Sequence, residues 1–191
     1  MEYIRNLAWI EQNLGNVETS AELYLKAFAI DSIILPDLWN YIYSGQHDQA
    51  YKWAKKRGEF SFWNTTNAKG YIFWNAGEHE RAENLLNQHI EAQEPFMRLS
   101  YLWVSAGDLH MDLAPAYAFL GHNDKTYKVL DELVEMPNSL PLEWLNRIRL
   151  NPMFDVLREE ERFQDILQKM EDEYKAEHER VGKWLEETGS I

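Results

Sequence analysis

The sequence predicts an all-α fold built from antiparallel helix pairs. Two observations support this prediction. Glycines that interrupt a helical pattern recur at positions 15, 45, 77 and 121, which are 30, 32 and 44 residues apart. Small side chains recur at matching points before and after each of these glycines.

The clearest unit covers residues 68–90. Gly77 provides a helix end that can take positive φ, and the acidic Glu78 favours the N-terminus of a following helix. Apolar residues then recur with the 3.6-residue period of a helix, at Ala82, Leu85, Leu86 and Ile90. Two helices of this length cannot bury their apolar faces alone, so the unit needs copies of itself.

The predicted elements follow in order along the chain. Residues 2–30 and 33–58 form the first two pairs, the third pair ends near Ile90, and the fourth covers 109–136. The last spacing is about ten residues longer than the others, and we place the extra residues at 93–107. There, Pro95 predicts a helix that extends past a kink or a short inserted helix, ending at 105–108. Pro115 predicts that the next helix starts late or bends.

The units share a common register. The first helix of each pair carries a small residue where it crosses its partner, at Ala8, Gly70 and Ala114, with Leu38 as a poor match. The second helix carries Ser20, Ala50, Ala82 and Thr126 at the equivalent point. Over roughly 1–136 this pattern resembles the tetratricopeptide repeat (TPR) family, whose period is about 34 residues. The resemblance implies a right-handed superhelix of helix pairs that serves as a scaffold for binding other proteins.

The C-terminal third differs in character. Asn151-Pro152, Phe154-Asp155, Leu157-Arg158 and Arg162-Phe163 resemble the segment that closes TPR arrays in multi-domain bacterial regulators. The resemblance implies the interaction region of a larger regulatory protein. We expect a single domain over 1–191, with repeats over 1–136 and a helical cap over 137–191. Since Met1 begins inside a repeat, we expect a piece of a longer protein, and a natural start with a minimal cap is the alternative.

The last helix is predicted over 160–187, after a shorter one over 141–149 that begins with a proline. The apolar face of this last helix comprises Phe163, Ile166, Leu167, Met170, Tyr174, Val181, Trp184 and Leu185. We expect a capping helix that covers the last repeat with this face. The alternative is a helix that leaves the body and pairs with another chain, in the form of a homodimer.

Composition argues against several classes of function. The net charge is −13, and no basic patch is visible, so nucleic-acid binding is not expected. The chain has no cysteine, which excludes disulfides and thiolate metal sites but does not decide the compartment, where the cytoplasm is favoured. No apolar run approaches the length of a membrane span, so membrane insertion is not expected.

Residues that carry chemistry are sparse. The segment 108–112 places Asp108, His110 and Asp112 two residues apart, a spacing that does not bring side chains together on a helix. No phosphate-binding loop or nucleophile elbow is present. We therefore predict neither enzyme activity nor a cofactor nor a metal site.

Aromatic residues are the exception, with eight Trp, ten Tyr and eight Phe. In the TPR register the first helices line the concave groove. The residues predicted to line it are Arg5, Trp9, Asn13, Trp39, Tyr43, Asn67, Tyr71, Trp74, Asn75 and Phe119. Of these we expect Trp39, Tyr71 and Trp74 to be partly exposed. The basic clamp of the family's chaperone-tail binders is missing apart from Arg5, so that ligand is not expected.

Two functions fit these observations. The first is a non-catalytic scaffold that holds a protein or an extended peptide in the groove. The second is a regulatory or self-association domain whose groove is filled by its own chain.

Overall fold

The computed structural model describes residues 2–30, 38–56, 65–97, 106–136 and 142–189. Every regular element within these ranges is helical and none is a strand, which confirms the predicted all-α class. The elements are α1 (Glu2–Asn13), α2 (Val17–Ile30), α3 (Leu38–Tyr43), α4 (His47–Lys56), α5 (Thr65–Asn75), α6 (His79–Met97), α7 (Ala106–Phe119), α8 (Asn123–Val134), α9 (Leu142–Leu150), the 3-10 helix η1 (Pro152–Leu157) and α10 (Glu161–Glu187).

Four turns with the same hydrogen bonds join the first eight helices into pairs. Between α5 and α6, the Gly77 N–H donates to the Trp74 carbonyl at 3.0 Å, and the Glu78 N–H donates to the Phe73 carbonyl at 2.9 Å. The φ angle of Gly77 is 82°, a value that a residue with a Cβ atom adopts only with strain. Equivalent bonds and positive φ angles recur at Gly15, Gly45 and Gly121. The predicted glycine turns are therefore confirmed.

Small residues are found where paired helices cross. All eight residues of the predicted register are buried: Ala8, Leu38, Gly70 and Ala114 on the first helices, and Ser20, Ala50, Ala82 and Thr126 on the second helices. A Cβ atom on Gly70 would lie 2.6 Å from the Leu86 side chain, so this crossing leaves no space for a methyl group. Between α1 and α2 the close approach lets the Ser20 hydroxyl donate to the Ala8 carbonyl at 2.7 Å.

The central helix of the fold is α7, which contacts α5, α6, α8, α9 and η1. It begins at Ala106 and continues through a buried Pro115 to Phe119. The predicted helix end at 105–108 is therefore wrong, because residues from Ala106 onward already belong to α7. The fourth pair begins at 106 instead of 109, and Pro115 does not delay the start of its first helix. The helix before it, α6, continues through Pro95 to Met97, as in the first of the two interpretations. Residues 98–105 lie outside the described ranges.

Tyrosine–glutamate hydrogen bonds link one helix pair to the next. The Tyr51 hydroxyl on α4 donates to Glu78, which directly precedes α6. In the same way the Tyr127 hydroxyl on α8 donates to Glu160, which precedes α10, at 2.6 Å. Burial and this hydrogen bond both raise the pKa of Tyr127, so the hydroxyl remains the donor. The start of α10 thus meets α8 through the same type of bond that joins α6 to α4.

The segment between α9 and α10 is held by local hydrogen bonds. The Asn151 side chain accepts a bond from the Met153 N–H at 2.9 Å and so caps η1, whose first residue is Pro152. The Arg158 guanidinium donates to the carbonyls of Arg149 and Asn151. Asn151 of the Asn-Pro pair and Arg158 of the Leu-Arg pair therefore hold this segment together.

The last helix lies in two environments. Its first part packs on α8 and α9 through Phe163, Ile166, Leu167 and Met170, all of them buried. Farther along, Trp184 is 56% exposed. The fully buried residues of the predicted apolar face therefore all lie in the first ten residues of α10, and beyond them Tyr174 and Leu185 are half-buried while Val181 and Trp184 are exposed.

Candidate functional site

A connected set of aromatic side chains crosses three successive helix pairs. The inner aromatic row, as we call it, consists of Trp39 and Tyr43 on α3, Tyr71 and Trp74 on α5, and Phe119 on α7. Ring centroids are 5.7 Å apart for Trp39 and Tyr43, and 6.0 Å apart for Trp39 and Tyr71. Phe119 lies 5.9 Å from Tyr71 and 5.4 Å from Trp74. Edge-to-face and tilted pairs at such distances are favourable for aromatic rings.

The row follows from spacing within helices and from contacts between them. Trp39 and Tyr43 are four residues apart and Tyr71 and Trp74 are three apart, so each pair lies on one face of its helix. The helices α3, α5 and α7 contact each other in that order. The two local pairs and Phe119 are thereby joined into one row.

Exposure differs along the row. Tyr43, Tyr71, Trp74 and Phe119 are all partly exposed, as predicted for Tyr71 and Trp74. Trp39, however, is only 5% exposed, so the predicted exposure of this residue is wrong. Its ring is enclosed because Tyr43 stacks on it from the same helix and Tyr71 packs against it from the next. Trp39 therefore lies beneath the row, and the other four rings form its partly exposed surface.

Two asparagines of α5 have different roles. Asn67 is fully buried, and its side-chain amide donates to the Asp112 carbonyl on α7 at 2.6 Å. The prediction that Asn67 lines an open groove is therefore not supported, because its amide joins two helices of the core. Asn75 is exposed and donates to the Tyr71 carbonyl at 2.9 Å. Of these two asparagines, Asn75 is the one that places its amide at the surface beside the row.

The predicted groove residues of the first pair lie outside the row as defined above. Arg5 is exposed on α1, and Trp9 on the same helix is 56% exposed. The side chain of Asn13, which was also predicted to line the groove, lies outside the described residues. The row thus draws on the second, third and fourth pairs.

The hydroxyl of Tyr71 is kept in its neutral form. Partial burial raises its pKa above the ordinary value of 10.0; a hydrogen bond with Asn75 lowers the pKa by less, and the nearby Asp155 carboxylate adds a smaller rise. At neutral pH Tyr71 is therefore a hydrogen-bond donor on a partly apolar surface. A ligand carbonyl is a suitable acceptor for it.

Two buried histidines each lie near a carboxylate, which the sequence did not predict. His89 on α6 lies 3.8 Å from the Asp112 carboxylate, and His110 on α7 lies 3.4 Å from the Glu132 carboxylate. Burial lowers the pKa of His89 to about 4, so this imidazole is neutral at neutral pH. The only available signal was the position of His89 on the apolar stripe of α6, next to Ile90.

Of the three polar side chains in the segment 108–112, the structure describes those of His110 and Asp112. Among the residues that the structure describes, no group of three or more histidine, aspartate or glutamate side chains is placed to hold a metal ion. Likewise, no helix within the described ranges combines the length and apolar character that crossing a bilayer requires. The side chain of Asp108 is not among those described.

Comparison of the chain with protein-family models, with curated proteins and with solved structures found no match.

Proposed function

We propose that this protein is a non-catalytic scaffold that holds an extended segment of another protein against the inner aromatic row. The observation that carries the proposal is the row itself, which has four partly exposed rings on the first helices of three successive pairs. Phe119 contacts both Tyr71 and Trp74, and Tyr43 is joined to them through the buried Trp39. Large aromatic side chains dominate the binding energy of protein interfaces, because they bury much area with few rotatable bonds.

The arrangement of helices supports a repeat scaffold of the TPR type. Four glycine turns share the same hydrogen bonds, and small residues occupy the helix crossings of all four pairs apart from Leu38. In such an array the first helices contact each other along one side, as α3, α5 and α7 do. Equivalent positions of successive helices then line a continuous surface, which suits an extended peptide.

Chemistry beside the row suggests how a peptide is recognised. Tyr71 offers a neutral hydroxyl and Asn75 an exposed amide, both of which can pair with the backbone of an extended chain. The net charge of −13 favours neutral or basic peptides over acidic ones. As part of a larger regulatory protein, such a module would bring a partner to a neighbouring domain.

The test begins with selection of peptides from a displayed library on the immobilised chain. A selected synthetic peptide is then titrated into the protein by calorimetry, with Trp74→Ala and Phe119→Ala as variants. If both rings are hot spots, each change weakens binding by about 2 kcal/mol, or about 30-fold. The matched control is Phe96→Ala, which removes an exposed aromatic ring outside the row. Equal affinities for all three variants would contradict the proposal.

One observation favours a second candidate, a regulatory domain whose groove is filled by its own chain. The short helix α9 contacts both α1 and α7, which belong to the first and the fourth pair. The Asn146 side chain of α9 also lies against the turn between α1 and α2, where a Cβ atom on Gly15 would be 3.4 Å from it. A helix that touches both ends of the array can occupy the space that a ligand would enter.

Hydrogen exchange distinguishes the two candidates. If α9 is a resident occupant, a selected peptide that binds the row displaces it, and the amides of residues 142–150 lose protection. If the row is open to ligands, the amides of α9 keep their protection while those of α5 gain it. The regulatory candidate fails if α9 remains protected at saturating peptide.

A further inference from the structure

The C-terminal helix α10 continues well beyond the part that packs on the body. Phe163 and Met170 are completely buried, whereas Val181 is 37% and Trp184 is 56% exposed. Among the described hydrogen bonds and ion pairs, the one between Arg149 and Glu171, at 2.9 Å, is the most distal that joins α10 to another helix. We call residues 171–187 the arm. At 1.5 Å per residue it is about 25 Å long.

The apolar residues of the arm continue the stripe that is buried in the first part of α10, with Val181 and Trp184 exposed and Tyr174 and Leu185 half-buried. Two rows of residues follow a seven-residue spacing. The first is Leu167, Tyr174 and Val181, and the second is Phe163, Met170, Glu177 and Trp184, in which Glu177 is the polar exception. Residues at this repeat form the seam along which two helices pack. The arm therefore presents a helix-packing seam that the described residues cover only in part, since Val181 and Trp184 remain exposed.

Charge indicates what kind of helix fits this seam. Seven acidic and three basic residues lie between Glu171 and Glu187. Two of the basic residues are paired within the arm, since Lys175 lies 2.9 Å from Glu171 and Arg180 lies 2.6 Å from Glu177. The charge that the arm presents to a partner is therefore acidic.

We propose that the arm is a docking surface for a basic amphipathic helix of a partner protein. The partner's apolar side chains pack on the seam formed by Tyr174, Val181, Trp184 and Leu185, and its flanking lysines or arginines face the acidic sides of the arm. A second copy of this chain fits less well, because two arms with the same acidic excess repel each other. This surface is separate from the inner aromatic row.

The test uses the whole chain and a synthetic helical probe. The probe is an amphipathic peptide of about three heptads, with leucine along its seam and lysine at the flanking positions. A second peptide carries glutamate in place of every lysine. Calorimetric titration is expected to show binding of the lysine peptide, with no detectable binding of the glutamate peptide.

Matched double variants show whether the seam is responsible. Val181→Ser with Trp184→Ser removes an exposed valine and an exposed aromatic ring from the arm, and is expected to weaken binding of the lysine peptide at least about tenfold. Val156→Ser with Phe96→Ser removes the same kinds of side chain elsewhere, where they are 62% and 57% exposed. This control pair is expected to leave the affinity unchanged.

Three outcomes would overturn the proposal. The first is that the lysine peptide does not bind. The second is that the two double variants bind it with the same affinity, which indicates only general attraction to an acidic protein. The third is a dimer in sedimentation equilibrium that the arm variant dissociates and the control variant does not, which makes a second copy the occupant. Trp74 lies on α5, outside the arm, so the effect of Trp74→Ala on peptides that bind the inner aromatic row does not bear on this proposal.

Discussion

Two aromatic residues on α10 provide a sharp test of how the helix packs. Phe163 is completely buried, and its ring centroid lies 5.6 Å from that of Phe154 on η1. Trp184 lies on the same helix six turns later and is 56% exposed. The sequence alone had predicted the same role for both residues, as members of one capping face. The structure predicts that their replacement by alanine has very different consequences.

The magnitudes follow from burial. Phe163→Ala removes a buried ring and leaves a cavity between α10 and η1, which is expected to cost about 3–5 kcal/mol of unfolding free energy. For a chain of this size the melting temperature falls by about 2–4 °C for each kcal/mol. Trp184→Ala removes a largely exposed ring, and its cost is expected to stay within about 0.5 kcal/mol, as for other surface changes.

Urea unfolding followed by circular dichroism measures both values. The midpoint should move for Phe163→Ala while the dependence on urea concentration stays the same, since the fold is unchanged. If that variant does not fold, Phe163→Leu keeps most of the volume and should cost less than about 1.5 kcal/mol. The reasoning is refuted if Trp184→Ala destabilises as much as Phe163→Ala, because the arm would then be part of the core.

Two further predictions concern the core. His89 is neutral in the folded chain with a pKa of about 4, whereas its ordinary value is 6.5, so below pH 6.5 the unfolded chain binds the proton more readily. The free energy of unfolding should therefore fall between pH 6.5 and pH 4 by up to about 3 kcal/mol. The decrease is smaller to the extent that the Asp112 carboxylate stabilises the protonated imidazole. In His89→Leu, the urea midpoints should lack this part of the decline. Gly70→Ala should destabilise the chain by about 1–3 kcal/mol, because the new methyl group would overlap the Leu86 side chain. In the Leu86→Ala background the same substitution should cost much less, and an equal cost in both backgrounds would show that the crossing is not tightly packed.

Features that depend on a few neighbouring residues were predictable. The four glycine turns depend only on the ability of glycine to take positive φ and on the helix hydrogen bonds just before it. The small residues at the helix crossings were predictable for a similar reason, since the register within each pair is set by its turn. The bounds of α9 and α10 follow within a residue or two from the prolines and apolar periods around them.

Features that depend on distant neighbours were not predictable. Trp39 lies on the face of α3 that was expected to be open, yet Tyr71 from the next pair helps to cover it. Asn67 lies on the first helix of its pair, like the groove residues, but its amide reaches the Asp112 carbonyl across the interface with α7. No local pattern distinguishes an asparagine that faces a ligand from one that faces another helix.

The sequence by itself thus determined the helix pairs, their turns and the aromatic character of the surface, because each of these follows from residue type at short spacing. Only the tertiary structure decided which aromatic rings are exposed, that α9 contacts both α1 and α7, and that the fully buried residues of α10 all lie in its first ten residues. The physical reason is that the burial of a side chain depends on which other helices reach it. That in turn depends on how all the pairs stack, which no single repeat specifies.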